Sequence, residues 1–222
     1  MYFFVFDAFA GDDKVFTYEP KSEIGVGDLI DLDRFLLCLK NIAFKEKYNY
    51  IWRSDKLEIL VYKKLLNSKS IKLLNRMVKK YISNYKTVLK YFLSFDLVNL
   101  LKRKSGFVEN KKIEQNLIVY PDVWTMYNMV SDDVLSSENC VFLNSKMTPK
   151  QKDLAWWKIK LGLVDRIFCT HSEMFQNWLN LSNIEIVDNY KWYYKNHQDP
   201  RYDTNKVLVK MAKIWFSWSS IL

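Results

Sequence analysis

The 222 residues fit one domain, and 49% hydrophobic residues with only five glycines and four prolines exclude a disordered segment. Three cysteines, Cys38, Cys140 and Cys169, odd in number and far apart, exclude a disulfide scaffold, and no apolar run reaches the roughly 18–20 residues that span a bilayer. The net charge of +9 comes from 28 Lys and only 6 Arg, beside 17 Asn, a bias that A- and T-rich codons produce without selection for a partner.

The first segment, Met1 to Asp7, lacks a basic start, and Asp7 interrupts its apolar run. It predicts no secretory signal and an intracellular protein. Residues 1–20 read as a β-hairpin: Tyr2–Ala10 and Lys14–Tyr18 are aromatic and β-branched, with turn chemistry at Gly11-Asp12-Asp13 between them. Asp28 then predicts the cap of a helix whose apolar positions are Leu29, Leu32, Leu36, Leu39 and Ala43. Tyr48–Trp52 is ambiguous and could be extended. Asp55 with Glu58 resembles a capping box for a helix to Leu66, although Glu58–Tyr62 also suits a strand.

Ile71, Leu74, Val78, Ile82, Tyr85, Leu89 and Phe92 recur at steps of three and four, which predicts one long helix; a shorter one follows through Leu101. Ile113–Tyr120 reads as a strand, Asp122–Val130 as a helix and Cys140–Leu143 as a strand. Thr148-Pro149-Lys150-Gln151 carries a helix N-cap, a proline at the first helical position and a capping-box Gln, with Gly162 at the far end. Another helix is expected from Thr170 to Leu181, then strands at Ile184–Val187 and Tyr190–Tyr194. The last helix carries Val207, Met211, Ile214 and Trp218. The expected fold is a single α+β domain over residues 1–222, helix-dominated, with a small mostly antiparallel sheet and the N-terminal hairpin. Residues 28–104 are its helical part, basic from 56, and residues 105–222 are mixed.

Catalytic and metal motifs are missing from this order. Cys169 and His171 are the only close Cys/His pair, and a buried cysteine beside a helix-start histidine accounts for them. Asp28, Asp31 and Asp33 could suggest Mg²⁺, but acids in a first helical turn complement the helix dipole. Gly25 and Gly27 lack the third glycine of a dinucleotide loop. The sequence points to no cofactor, no metal and no enzyme.

Two features remain. Residues 56–104 hold 13 Lys or Arg against two acids, Glu58 and Asp96. Within them Lys69, Lys72, Arg76, Lys79, Lys86 and Lys90 form one stripe of the expected long helix, suited to a phosphate backbone or an anionic surface. A solvated face in a lysine-biased chain is the plainer account. The second feature is aromatic. Trp156 stands beside Trp157, Tyr190, Trp192, Tyr193 and Tyr194 crowd one short segment, and Trp215, Phe216 and Trp218 lie near the chain end. Large rings facing several directions predict contacts between copies, or else a core element buried on both sides.

In size, tyrosine richness and AT-biased coding the chain resembles insect-virus occlusion-body matrix proteins of the polyhedrin kind, a likeness that maps no motif onto particular residues. The resemblance implies a self-assembling homo-oligomer or lattice in host-cell occlusion bodies, stable near neutral pH and dissolved by alkali. The expected function is therefore structural self-assembly. The alternative is a basic nucleic-acid-binding accessory protein that uses the 69–90 stripe.

Overall fold

The computed structural model describes residues 2–7, 15–18, 20, 22–26, 28–31, 35–42, 59–62, 65–93, 113–190 and 192–216, and structural statements concern these alone. Nine strands fall into two sheets. The first sheet is antiparallel, in the order β2-β1-β4-β3-β5. It comprises β1 (Tyr2–Asp7), β2 (Val15–Tyr18), β3 (Leu29–Asp31), β4 (Phe35–Ile42) and β5 (Ile59–Tyr62). β1 and β2 pair with Phe3 opposite Tyr18 and Phe6 opposite Val15.

The helix expected after Asp28 is instead the β3–β4 hairpin. A solid apolar run such as Phe35-Leu-Leu-Cys-Leu fits either period, and only its neighbours decide. Asp28 is buried and closes a turn: its Oδ2 accepts from the Gly25 amide at 2.8 Å, and its carbonyl accepts from the Cys38 amide at 3.0 Å. Its side chain thus serves a turn rather than a helix start. Of the two readings of residues 58–62, the strand is the one that forms, as β5.

α1 (Ser68–Tyr81) and α2 (Tyr85–Phe92) replace the single long helix. Ile82 turns left-handed at φ 50°, and both its amide and that of Ser83 bond the Val78 carbonyl, a helix-ending arrangement. Asn84 then starts α2 by accepting from the Thr87 amide at 2.7 Å. The apolar positions on either side of the break pack on the same core, while Ile82 at the break points its side chain to solvent.

The second sheet overturns the expected fold class. Its four strands are all parallel, in the order β7-β8-β6-β9, so the chain is an α/β protein and not a helix-dominated one with a single small, mostly antiparallel sheet. β6 (Gln115–Tyr120) leads through α3 (Val123–Met129) and α4 (Asp132–Leu135) to β7 (Cys140–Leu143). α5 (Pro149–Lys160) returns the chain to β8 (Arg166–Thr170), and a short 3-10 turn and an irregular segment lead to β9 (Leu181–Ile186). α6 (Thr204–Trp215) closes the described chain.

Side chains alternate between two cores. Leu117, Val119, Val141, Leu143, Ile167 and Cys169 face the larger one, packed with α1, α2, α5 and α6. Ile118, Tyr120, Cys140, Phe142 and Phe168 face the smaller one, closed by Met126, Val130, Val134 and Leu135 of α3, α4 and their flanks. Covered on both faces, β7, β8 and the Leu117–Tyr120 part of β6 read as nearly continuous apolar runs, while the edge strand β9 is largely exposed. α5 begins as the sequence predicts: Thr148 and Gln151 exchange both capping bonds, and Gly162 takes φ 67° just past its end.

Two further expectations fail. Residues 174–180 form no helix; after the 3-10 turn His171–Glu173 the chain continues to β9 without regular secondary structure, with Met174, Phe175 and Trp178 buried. Asn177 pins that crossing, bonding the Leu65 carbonyl and the Asn67 amide at 2.9 Å each. In the segment expected as the strand Tyr190–Tyr194, Tyr190 ends a turn and Trp192–Tyr194 form a 3-10 turn. The helix through Leu101, the Asp55–Glu58 box, Tyr48–Trp52, Asp33 and Trp218 lie outside the described residues. Among described residues no helix is long and apolar enough to cross a membrane.

Candidate functional site

Open α/β sheets offer ligands the carboxyl ends of their strands, where connections leave toward opposite faces. Here that point lies between β6, whose chain leaves to α3, and β8, whose chain leaves over the other face. Aromatic side chains fill it. The Tyr194 hydroxyl donates to the carbonyls of Val119 (3.0 Å) and Val187, and its ring stands edge-on to His171 at 6.4 Å. The Tyr202 hydroxyl reaches the His171 carbonyl at 3.4 Å. Burial pushes both phenols' pKa values up, holding them neutral. Burial also lowers the His171 pKa, against smaller upward effects of the Pro121 carbonyl and Glu173, while its Nδ1 is buried without a partner. Cys169 lies fully buried beneath, its thiol pushed up by desolvation, so it is no activated nucleophile. Cys38 and Cys140 are likewise buried, and neither forms a disulfide among the described residues.

Beside this plug a polar cleft of about 370 Å³ opens, lined by Lys90 and Tyr91 of α2, Lys152 of α5, Glu173 and Asp199 among others. Lys152 Nζ meets Glu173 Oε1 at 2.6 Å, with both side chains largely shielded. Its two lysines are matched by two carboxylates, so this cleft presents no net field.

The larger concavity is different in kind. α1 and α6 lie side by side and antiparallel: Lys69 Nζ donates to the Trp215 carbonyl at 3.1 Å at one end, and Tyr81 meets the Tyr202 ring at 6.5 Å at the other. Between them runs a groove of about 870 Å³. Arg76, Lys79 and Lys80 line one wall, and Lys206, Lys210 and Lys213 the other, with Asn205 and Val209 completing it and no carboxylate among the described residues of the lining. Asp203 at its end accepts from the Lys206 amide as the cap of α6.

Only part of the sequence-predicted stripe reaches this groove. Arg76 and Lys79 line it, Lys69 ties α1 to α6, Lys72 is exposed on α1, and Lys86 and Lys90 sit on α2 beyond the break. Lys80, Lys206, Lys210 and Lys213 were missed; the last three recur at steps of four and three, a stripe like the first. The aromatic set is divided too. Trp156, Tyr194 and Trp215 are interior, with Trp156 Nε1 bonded to the Phe92 carbonyl at 2.7 Å, so they pack this chain and offer no subunit contact. Phe216 is half-buried against the core, while Tyr190, Trp192 and Tyr193 are exposed. Comparison with known protein families and with curated proteins finds no match for the chain. Among described residues no cluster of three His, Cys, Asp or Glu side chains could hold a metal ion.

Proposed function

We propose that the chain is a nucleic-acid-binding accessory protein that works through the α1/α6 groove and catalyses no reaction there. The observation that carries this reading is the convergence of six cations, three from each of two helices distant in sequence, on a groove that shows no acid among the described residues of its lining. Codon bias scatters lysines; it does not bring them to one concave surface and leave the carboxylates out. Cations so placed displace condensed counterions from a phosphate backbone, and binding then weakens steeply with salt. Lysine supplies charge without base reading, which suits contact with the backbone.

The test is a binding titration of the full chain with labelled oligonucleotides over a salt series. Lys79→Gln with Lys206→Gln and Lys210→Gln should weaken binding to all sequences alike and flatten the salt slope. Loss confined to some sequences, or no binding near physiological salt, would refute the reading.

Self-assembly, as in a polyhedrin-like lattice, is the second reading. It draws support from the exposed rings of Tyr190, Trp192 and Tyr193 and no longer from Trp156, Tyr194 or Trp215. Electron microscopy of expressing cells and concentration-dependent light scattering test it; a monomer at every concentration would end it.

A further inference from the structure

The groove does not stop at its last lysine. At the end where α6 begins, the Asn205 side chain, itself part of the lining, donates to the Asn189 carbonyl at 3.0 Å. That bond holds the turn after β9 against the groove mouth, and the backbones of Lys195 and Asp203 pair as an isolated antiparallel β-bridge just beyond it. The anchored segment carries Tyr190, Trp192 and Tyr193, exposed by 77%, 65% and 40%. The Trp192 and Tyr193 rings lie 4.2 Å apart at 38°, so each shields one side of the other while the pair stays open to solvent. Single exposed rings are ordinary; three within four residues, at the mouth of a groove with six cations and no acid among its described lining residues, form a surface of defined chemistry.

We infer that groove and rings form one track for single-stranded nucleic acid, with phosphates on the α1 and α6 cations and unpaired bases against Tyr190 and Trp192. This rests on the nucleic-acid reading of the groove and adds the strand state to it. In a duplex the base faces are already stacked on one another, and exposed rings gain nothing from them. Unpaired bases offer free faces, and stacking one base on one ring raises affinity by about 5- to 100-fold. Tyrosine and tryptophan do this without regard to base identity, in keeping with a lysine-lined groove that reads charge alone.

Fluorescence anisotropy of the full chain with labelled oligothymidylate and with a duplex of equal length tests the assignment. The single strand should bind about tenfold or more tightly than the duplex. Tyr190→Ala with Trp192→Ala should remove about tenfold or more of the single-strand affinity, leave duplex binding and the salt slope unchanged, and leave the circular dichroism melt in place; Trp192→Phe should restore part of the loss. Equal loss on both ligands, or no loss, overturns the single-strand assignment, while the groove reading stands if Lys206→Gln with Lys210→Gln still abolishes binding. Failure of the wild-type chain to bind either ligand overturns both. If the double variant binds normally but sediments as a smaller species than wild type, the rings join copies of this chain and the assignment falls.

Discussion

Gln115 is wholly buried at the start of β6, and its carboxamide ties three elements together. Nε2 donates to the Ile159 carbonyl at 2.7 Å, and Oε1 accepts from the amides of Leu179 and Asn180 at 2.9 and 3.0 Å. Gln115→Leu keeps the size and removes all three bonds. The Ile159 carbonyl retains a partner in the Gly162 amide at 3.1 Å, so two amide donors lose their acceptor. Each such donor costs about 1–3 kcal/mol, and partial access to water at this end of the crossing keeps the total near the lower half, about 2–4 kcal/mol. For a chain of this size that is a drop in Tm of about 5–15 °C. Urea unfolding should show the loss at unchanged m-value, and hydrogen exchange should quicken first at Leu179 and Asn180. A loss under about 0.5 kcal/mol, with those two amides still protected, would refute the bracing role.

Ile82 holds a left-handed backbone at φ 50° with its side chain 94% exposed, so Ile82→Gly should stabilise the chain by about 1 kcal/mol in denaturant titration, and a loss would show that the residue packs. His171 has its pKa lowered by burial, so the unfolded chain takes up its proton first as pH falls below about 6.5. Stability should decline through that range and level off once the folded chain is protonated too; His171→Gln should abolish this component of the pH profile. Tyr202 behaves in the opposite sense: burial raises its pKa, so its contribution is intact below about 10 and lost as pH rises beyond. Tyr202→Phe gives up only the long 3.4 Å bond to the His171 carbonyl and should move alkaline unfolding, followed by circular dichroism and phenolate absorbance, to higher pH. Alkaline sensitivity on this account is unfolding of the single chain, and an unchanged midpoint in the variant would refute it.

Local chemistry was legible wherever a few neighbouring residues decide the structure. Thr148, Pro149, Gln151 and Gly162 fix both ends of α5 through their own backbone and side-chain bonds, and Asp122 starts α3 by accepting from the Thr125 amide at 2.8 Å. The strand–helix–strand–helix order from residue 113 to residue 162 was legible too, and that alternation is itself the signature of a parallel sheet. The sheet was expected to be mostly antiparallel because each strand was judged by its own pattern, whereas direction follows from which face each connection covers. The strands Leu29–Asp31 and Phe35–Ile42 and residues 174–180 needed their neighbours: a short run dense in apolar residues carries no clear period, so packing alone chooses between hairpin, crossing and helix. Trp156 and Tyr194 looked like surplus rings because the two-sided core that buries them forms only when α2 meets α5 and the 3-10 turn closes over β6 and β9. The basic stripe showed two of the six cations of the candidate site, Arg76 and Lys79, on its α1 wall. The other wall lies on α6, and sequence spacing cannot show that Arg76 and Lys79 face Lys206 and Lys210, because long-range packing sets the distance between two helices so far apart in the chain.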